Sequence, residues 1–189
     1  MRPTILPAFV NFPTEAAIIG RLLAGYADLE IGMLHCVSVV RDDFDTALKV
    51  MFRDRGETRR VNIADALGRQ HYASLKLETE FSMAIGAVRH CLSARNLYAH
   101  CNWYDDNSGQ LAFVNLEELA KEKALVADLT SLDIRHTDVP TLQAVERFFV
   151  YTDALLIWVN YEGRHRAGKM KAQPLPKPPA MKEPPLSLP

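Results

Sequence analysis

Three residues near the middle of the chain, Arg95, Asn96 and His100, have the types and the spacing to act on a phosphodiester. An arginine binds phosphate oxygens through paired N–H groups, and a histidine can accept a proton from a hydroxyl group near neutral pH. On a helix, Asn96 and His100 share one face because they are four residues apart. Arg95 lies about 140° around the axis from His100 and about 7.5 Å along it, so these two side chains diverge within one chain.

The helical pattern before this motif places Arg95 where an apolar side chain is expected. Apolar residues follow alternating steps of four and three, as on the inward face of a helical bundle, at Leu77, Phe81, Ala84, Val88 and Cys91. The next position of this row is Arg95. Burial of a guanidinium without partners is costly, so we expect a carboxylate, a carbonyl or a phosphate beside it. Asp28 and Glu30 on the predicted first helix are the carboxylates that could pair with Arg95.

The run from Arg95 to His100, followed by Trp103 and a turn-rich segment, resembles the Arg-polar-x-x-x-His motif of the HEPN superfamily. The resemblance covers residues 14–162. It implies an all-α protein and, for many members, a metal-independent endoribonuclease in a toxin, antiphage or RNA-processing system. It also implies a homodimer in which two copies of the motif converge on one phosphate of the RNA. The resemblance further implies an antitoxin or another protein partner.

The resemblance assigns a role to each residue of the motif. His100 would take the proton from a ribose 2′-hydroxyl, Arg95 would hold the scissile phosphate, and Asn96 would orient the substrate or the histidine. The nucleophile belongs to the substrate and the guanidinium meets the developing charge, so no metal and no cofactor is expected. The products would carry a 2′,3′-cyclic phosphate and a 5′-hydroxyl.

A second interpretation is a non-catalytic HEPN-like module for helical dimerisation or RNA binding. Arg95 would then be a buried structural cation paired with an acid of the first helix. The formal net charge of −1 favours this interpretation over a strong RNA binder. A plain bundle with an accidental motif is a third interpretation, which an arginine at a core position disfavours.

A basic segment between Lys49 and His71 is the predicted surface for RNA phosphates. It carries six Lys/Arg against three acids, in a chain with 22 Lys/Arg and 23 Asp/Glu in all. An RNA-binding surface must therefore be local. The alternative for such a cluster is a solvated loop. The residues predicted to contact RNA are Arg53, Arg55, Arg59, Arg60 and Arg89.

Hydrophobic periodicity predicts an all-α fold, an antiparallel helical bundle with a small β-hairpin insertion. The hairpin is expected over residues 103–114, and residues 131–139 are expected to be irregular. The last helix has a second apolar row, which we interpret as a homodimer interface rather than a central position in the bundle. We expect helices after Thr14, after Asp42 or Asp43, through Ile63–Leu67, over 72–101, over 116–129 and after Asp138.

The two ends of the chain differ in composition from the helical domain predicted over residues 14–162. Residues 1–13 are expected to form an extended arm interrupted by prolines. Residues 163–189 are basic and contain seven of the eleven prolines, so we expect a disordered tail with stretches of polyproline II. The apolar run Ala154–Val159 is far shorter than the ~20 residues that span a bilayer, so we expect a cytoplasmic protein without a membrane segment.

The three cysteines, Cys36, Cys91 and Cys101, form no C-x-x-C pair, which suits a reducing compartment. Each follows a histidine, but His90 and His100 would lie about 15 Å apart along one helix and could not share an ion. The cysteines are therefore predicted to be small buried side chains rather than metal ligands.

Overall fold

The structure, a computed structural model, describes residues 6–53, 55–121 and 134–188. The backbone is mostly helical with a small sheet, which confirms the coarse prediction of an all-α chain with a β-hairpin. Two compact units are present. Unit 1 comprises Met1–Ala24, Ser93–Glu146 and Pro184–Pro189, and unit 2 comprises Gly25–Leu92 and Arg147–Glu183. This division differs from the single helical domain predicted over residues 14–162.

Long helices provide most of the regular structure. The short helix α1 lies within the arm that was expected to be extended, so that prediction is wrong for this turn. Only the first turn of the predicted helix 116–129 is described, and residues 122–129 lie outside the described part. In chain order the elements are α1 (Ala8–Asn11), α2 (Pro13–Arg41), α3 (Phe44–Phe52), α4 (Glu57–Ser74), α5 (Glu78–His100), β1 (Asn102–Tyr104), β2 (Leu111–Val114), α6 (Leu116–Leu119), β3 (Arg135–Thr137) and α7 (Val139–Arg166).

Side-chain caps begin two of the helices where the sequence predicts them. Asp43 accepts a hydrogen bond from the Thr46 N–H at 3.2 Å at the start of α3. Asp138 accepts one from the Thr141 N–H at 2.9 Å at the start of α7. Each bond satisfies an N–H group that the first turn leaves without a helical partner. Buried side chains recur along α2 at the predicted spacing, at Ile19, Leu22, Tyr26, Leu29, Met33 and Cys36.

An aromatic stack couples the helices of unit 2. The rings of Tyr72 and Phe81 have centroids 4.5 Å apart and an interplanar angle of 8°. Gly68 lies so close to this stack that an added Cβ would be 2.2 Å from Phe81 Cζ. Gly163 gives Tyr72 similar room, because a Cβ there would be 2.9 Å from Tyr72 Cε1. The Tyr72 hydroxyl donates to the Cys36 carbonyl at 3.2 Å.

Helix α4 is longer than predicted, and α5 begins later. The helix predicted through Ile63–Leu67 already begins within the basic segment, at Glu57. Lys76, between the two helices, has a φ of 59°. A left-handed residue at this point ends the helix, so Tyr72 belongs to α4 and not to the helix that carries the motif.

Unit 1 contains an antiparallel sheet of order β1-β2-β3. The predicted hairpin is present, with Trp103 opposite Phe113 and with positive φ at Asn107 and Gly109 in the turn. Strand β3 pairs with β2 where the sequence was expected to be irregular. A strand of three residues is too short for an alternating apolar and polar pattern to predict it. Strand β3 is therefore identified only by its pairing with β2.

The proline-rich tail is held by specific contacts, so the prediction of a disordered tail is wrong for residues 163–188. In unit 2, Lys177 Nζ lies 2.9 Å from Glu80 Oε1 and 5.3 Å from the ring centroid of Trp158. In unit 1, the Leu188 N–H donates to the His136 carbonyl at 2.9 Å. A proline-rich composition prevents regular secondary structure. Its side chains and N–H groups can still form ion pairs and hydrogen bonds with other parts of the chain.

The second apolar row of α7 is buried within this chain, although it was interpreted as a homodimer interface. The tail covers part of it, since Gln173 Nε2 donates to the Trp158 carbonyl at 3.3 Å. This row serves the core of unit 2, and the homodimer remains a prediction without this support. The buried residues of the row are Phe148, Tyr151, Leu155 and Trp158.

Within the described part of the chain, one helical segment, Pro13–Val40, is long and apolar enough to cross a membrane. Just over half of the most apolar window is buried within the protein. The core helices of soluble proteins satisfy the same criteria of length and composition.

Replacing Gly68 with alanine should destabilise the protein, because the new methyl group would collide with a ring that Tyr72 holds in place. Gly86→Ala on α5 is the matched control, since nothing lies within 4 Å of an added Cβ there. Both changes gain about 1 kcal/mol of helix propensity, so the overpacking cost of about 1–3 kcal/mol separates them. Urea unfolding should show Gly68→Ala to be the less stable variant by about that amount. Equal free energies of unfolding would mean that the Phe81 ring moves aside.

Candidate functional site

The Arg95, Asn96 and His100 motif occupies the end of α5 in unit 1. Arg95 and Asn96 are partly buried. His100 is the last residue of the helix, and 51% of its side chain is exposed. The three predicted residues therefore lie on one helix end, where His100 is accessible to a ligand.

Arg95 lies beside the buried row of α5 and not in it, so the prediction that Arg95 is the next position of this row is wrong. After Cys91 the row continues through Ala94 and Tyr98, which are 0% and 1% exposed. A step of three or of four keeps a side chain on the inward face. The Tyr98 ring, which has a large apolar surface, occupies the inward face of α5. Arg95 therefore lies at the edge of that face.

The Arg95 guanidinium is held by the neighbouring residue, because its Nη1 donates to Asn96 Oδ1 at 3.0 Å. Asn96 thus orients the arginine, whereas the sequence suggested that it orients the substrate or the histidine. Glu30, one of the two carboxylates considered as a partner of Arg95, accepts from Arg60 Nη1 at 2.8 and 2.9 Å. The other, Asp28, lines a cavity in unit 2.

The imidazole of His100 lies near an acid of α6. Its Nδ1 is 4.0 Å from Glu117 Oε1, and 68% of the Glu117 side chain is exposed. This distance is too long for a hydrogen bond but short enough for a loose ion pair when the imidazole is protonated.

Aromatic contacts fix the helix end that carries the motif. The ring of Tyr98 has its centroid 6.0 Å from that of Trp103 and 6.5 Å from that of Phe113. Its hydroxyl donates to the Leu186 carbonyl at 2.9 Å. Because Tyr98 lies inside the motif, these contacts with the hairpin and the tail hold the helix end that carries the motif.

Two of the five arginines predicted to contact RNA are ion-paired within unit 2. Arg60 pairs with Glu30, and its guanidinium carbon lies 4.8 Å from the ring centroid of Phe52. Arg89 Nη2 lies 2.7 Å from Asp65 Oδ2. These contacts give both arginines a structural role. Arg53, Arg55 and Arg59 have exposed side chains, and the side chain of Arg89 is also 46% exposed despite its ion pair.

Asp65 is the acceptor at the centre of an ionic network that the sequence analysis did not identify. It is 8% exposed and accepts hydrogen bonds from Arg69 and Arg89 at 2.8 and 2.7 Å. Burial opposes ionisation, but the hydrogen bonds from the two arginines outweigh it and hold the pKa of Asp65 below its ordinary value. The four-residue spacing of Asp65 and Arg69 was the available signal.

Two of the cysteines are buried, as predicted. The Cys36 thiol donates to the Leu156 carbonyl at 3.5 Å, and Cys91 Sγ lies 3.4 Å from Thr152 Oγ1. Burial raises the pKa of each thiol to about 12, so both stay protonated and unreactive. Cys101 is only partly buried. Over residues 6–53, 55–121 and 134–188, no group of three or more His, Cys, Asp or Glu side chains is placed to hold a metal ion.

A second candidate site, not anticipated from the sequence, is a cavity of about 600 Å³ in unit 2. Its wall is formed by α2, α7 and Met170 of the tail. The signal was a recurrence of polar residues at seven-residue spacing on each helix, which places them on one face. The ionisable and amide side chains that line it are Asp28, His35, Asp153, Asn160, Tyr161 and Arg164.

No family model, no curated protein and no solved structure matches this chain. The resemblance to the HEPN superfamily therefore depends on the motif residues and their helical setting.

Replacing Asp65 with asparagine should lower the free energy of unfolding by about 1–3 kcal/mol at pH 7, because two arginines lose a charged acceptor. The folded-state pKa of Asp65 is lowered, so its contribution is complete above the ordinary carboxyl pKa of about 4. The contribution is lost as the pH falls through the folded-state pKa. Urea unfolding should therefore show the widest gap between wild type and Asp65→Asn at neutral pH and a narrower one below about pH 4.

Asp45→Asn is the matched control for this change. The Asp45 carboxylate pairs with Lys49 on the surface, where 68% of its side chain is exposed. Its loss should change stability by less than about 1 kcal/mol. A gap for Asp65→Asn that does not change with pH would contradict the assigned role of the carboxylate.

Proposed function

We propose that this protein is a metal-independent endoribonuclease of the HEPN type. The observation that supports the proposal is the accessible end of α5, where a half-exposed imidazole at His100 lies one turn beyond a guanidinium that Asn96 orients. These groups supply a proton acceptor and a fixed cation, which are the two functions that cleavage by a ribose 2′-hydroxyl requires.

The reaction would proceed by transfer within the RNA. His100 takes the proton of the 2′-hydroxyl, and the oxygen attacks the adjacent phosphorus. Arg95 stabilises the negative charge that develops on the non-bridging oxygens. The bond to the 5′-oxygen breaks as that oxygen takes up a proton from an imidazolium. The products are a 2′,3′-cyclic phosphate and a 5′-hydroxyl.

The proposed active form is a homodimer. Within one chain the Arg95 guanidinium binds Asn96 and the His100 imidazole faces Glu117, so the two groups have different neighbours. In a symmetric dimer, Arg95 and His100 of each copy would flank one phosphate, and the second imidazole would supply the proton for the leaving oxygen. A toxin, antiphage or RNA-processing role in the cytoplasm, with an antitoxin or other protein partner, completes the proposal.

A second candidate is a non-catalytic HEPN-like module that binds RNA or a second helical chain. It is favoured by the ion pairs of Arg60 and Arg89, which remove two cations from the expected RNA surface. One form of this second candidate has Arg95 as a buried structural cation paired with an acid of the first helix. The structure disfavours that form, because Arg95 is only partly buried and Glu30 binds Arg60.

The two candidates are separated by incubating a mixed RNA pool with the protein in the presence of EDTA. Wild type should release fragments with cyclic phosphate ends, and His100→Ala and Arg95→Ala should each lower the rate by at least about 100-fold. Arg21→Ala is the matched control, since Arg21 is a surface arginine of unit 1 that pairs with Glu146 and lies outside the motif. It should cleave at the wild-type rate.

Thermal unfolding of the same variants separates chemistry from folding. His100 is half exposed, so His100→Ala should leave the melting temperature close to that of wild type. Absence of cleavage by well-folded wild type, or cleavage that survives both motif substitutions, would refute the nuclease. RNA binding without cleavage, weakened by substitution of Arg53, Arg55 and Arg59, would support the second candidate.

A further inference from the structure

The cavity of unit 2 has charges of opposite sign at its two ends. Helices α2 and α7 lie side by side, and Gly32 permits their close contact, because an added Cβ would be 3.0 Å from Leu156 Cδ1. Beyond the ends of these helices, Lys169 Nζ lies 2.8 Å from Asp42 Oδ1. The two helices therefore run in the same direction. Their early residues form one end of the cavity and their later residues form the other.

The acidic end is formed by Asp28 of α2 and Asp153 of α7. Neither carboxylate has an ion-pair partner among the residues that the structure describes. Burial and, next, the charge of Asp28 raise the pKa of Asp153. A cation placed between the two carboxylates would relieve this repulsion, so the acidic end favours an amine or a guanidinium.

The opposite end is formed by Asn160 and Arg164. Arg164 Nε donates to Asn160 Oδ1 at 3.1 Å, which turns the guanidinium back to the level of Asn160. Asn160 is 7% exposed, and its Nδ2 has no hydrogen-bond partner in the described part of the chain. A buried N–H group without an acceptor is costly. A carboxylate at this end would satisfy the amide and neutralise Arg164.

The two ends are separated by an apolar middle. Asp153 and Asn160 are seven residues apart along α7, which corresponds to about 10 Å at 1.5 Å per residue. Ile31, Leu156 and Ile157 line the wall between them. A ligand that reaches both ends must therefore carry its charges on a chain of matching length.

We propose that this cavity binds a small zwitterion whose amine or guanidinium and carboxylate are about 10 Å apart along an apolar chain. The cation binds Asp28 and Asp153, and the carboxylate binds Arg164 and Asn160. The proposal is independent of the nuclease proposal, since it uses none of the motif residues.

The test is calorimetric titration of the full-length protein with 8-aminooctanoate, whose extended length matches the separation of the two ends. Octylamine and octanoate each provide one charge on the same chain, and 4-aminobutanoate provides both charges on a shorter one. The 8-aminooctanoate should bind saturably and at least about 10-fold more tightly than each of the three, since every charged contact contributes about one factor of ten.

Variants locate the binding. Asp153→Asn and Arg164→Gln should each weaken 8-aminooctanoate at least about 10-fold, whereas Asp45→Asn, outside the cavity, should bind like wild type. Ile157→Trp fills the cavity without removing a charge and should abolish binding. Its control is Val150→Trp, because Val150 is a 67% exposed residue of α7 that does not line the cavity.

The proposal is overturned if none of the four compounds binds saturably. It is also overturned if octylamine or octanoate binds as tightly as 8-aminooctanoate, or if Ile157→Trp and Val150→Trp weaken binding equally. Because Ile157→Trp keeps every charge of the cavity, it remains a valid test if Asp153→Asn or Arg164→Gln does not fold.

Discussion

Tyr72 joins four helices, and the arrangement of unit 2 depends on its position. The ring belongs to α4, stacks on Phe81 of α5, and fits against Gly163 of α7, while its hydroxyl donates to the Cys36 carbonyl of α2. The side chain is 0% exposed. Burial raises the pKa of Tyr72 well above its ordinary value, so the hydroxyl remains a neutral donor. A smaller side chain would leave a void that four helices share, and each would lose contacts.

The long helices could be predicted because their information is local. The apolar spacing of α2 and the capping carboxylates Asp43 and Asp138 are features of neighbouring residues, and each has the same meaning in any fold. The hairpin is predicted for the same reason, because Asn107 and Gly109 tolerate the positive φ of its turn. The position of Arg95 could not be predicted in this way. Steps of three and of four both keep a side chain on the inward face, so either of two adjacent residues can continue the core row. Packing between distant segments decides which of the two does.

The tail shows the same limit in another form. Its composition indicates that it forms no helix, but composition carries no information about a partner that lies elsewhere in the chain. Lys177 binds Glu80 and the Trp158 ring, and Leu186 accepts from Tyr98. The partner of each ion pair likewise depends on residues that are distant in the sequence. Glu30 was a candidate partner for Arg95 but binds Arg60, and only the packing of α2 against α4 distinguishes these alternatives.

The charged side chains of this protein fall into two classes with different consequences for function. Those of Glu30 and Arg60 are paired one to one within unit 2, so their charges cancel locally and contribute little field at the surface. The carboxylate of Asp153 lines a cavity without an ion-pair partner in the described part of the chain, and that of Glu117 has only a loose contact with His100. A charge that the fold does not neutralise retains its attraction for a ligand of opposite sign. With a formal net charge of −1, the molecule as a whole exerts no attraction on RNA, so the proposed RNA binding must come from local cations such as Arg53 and Arg55.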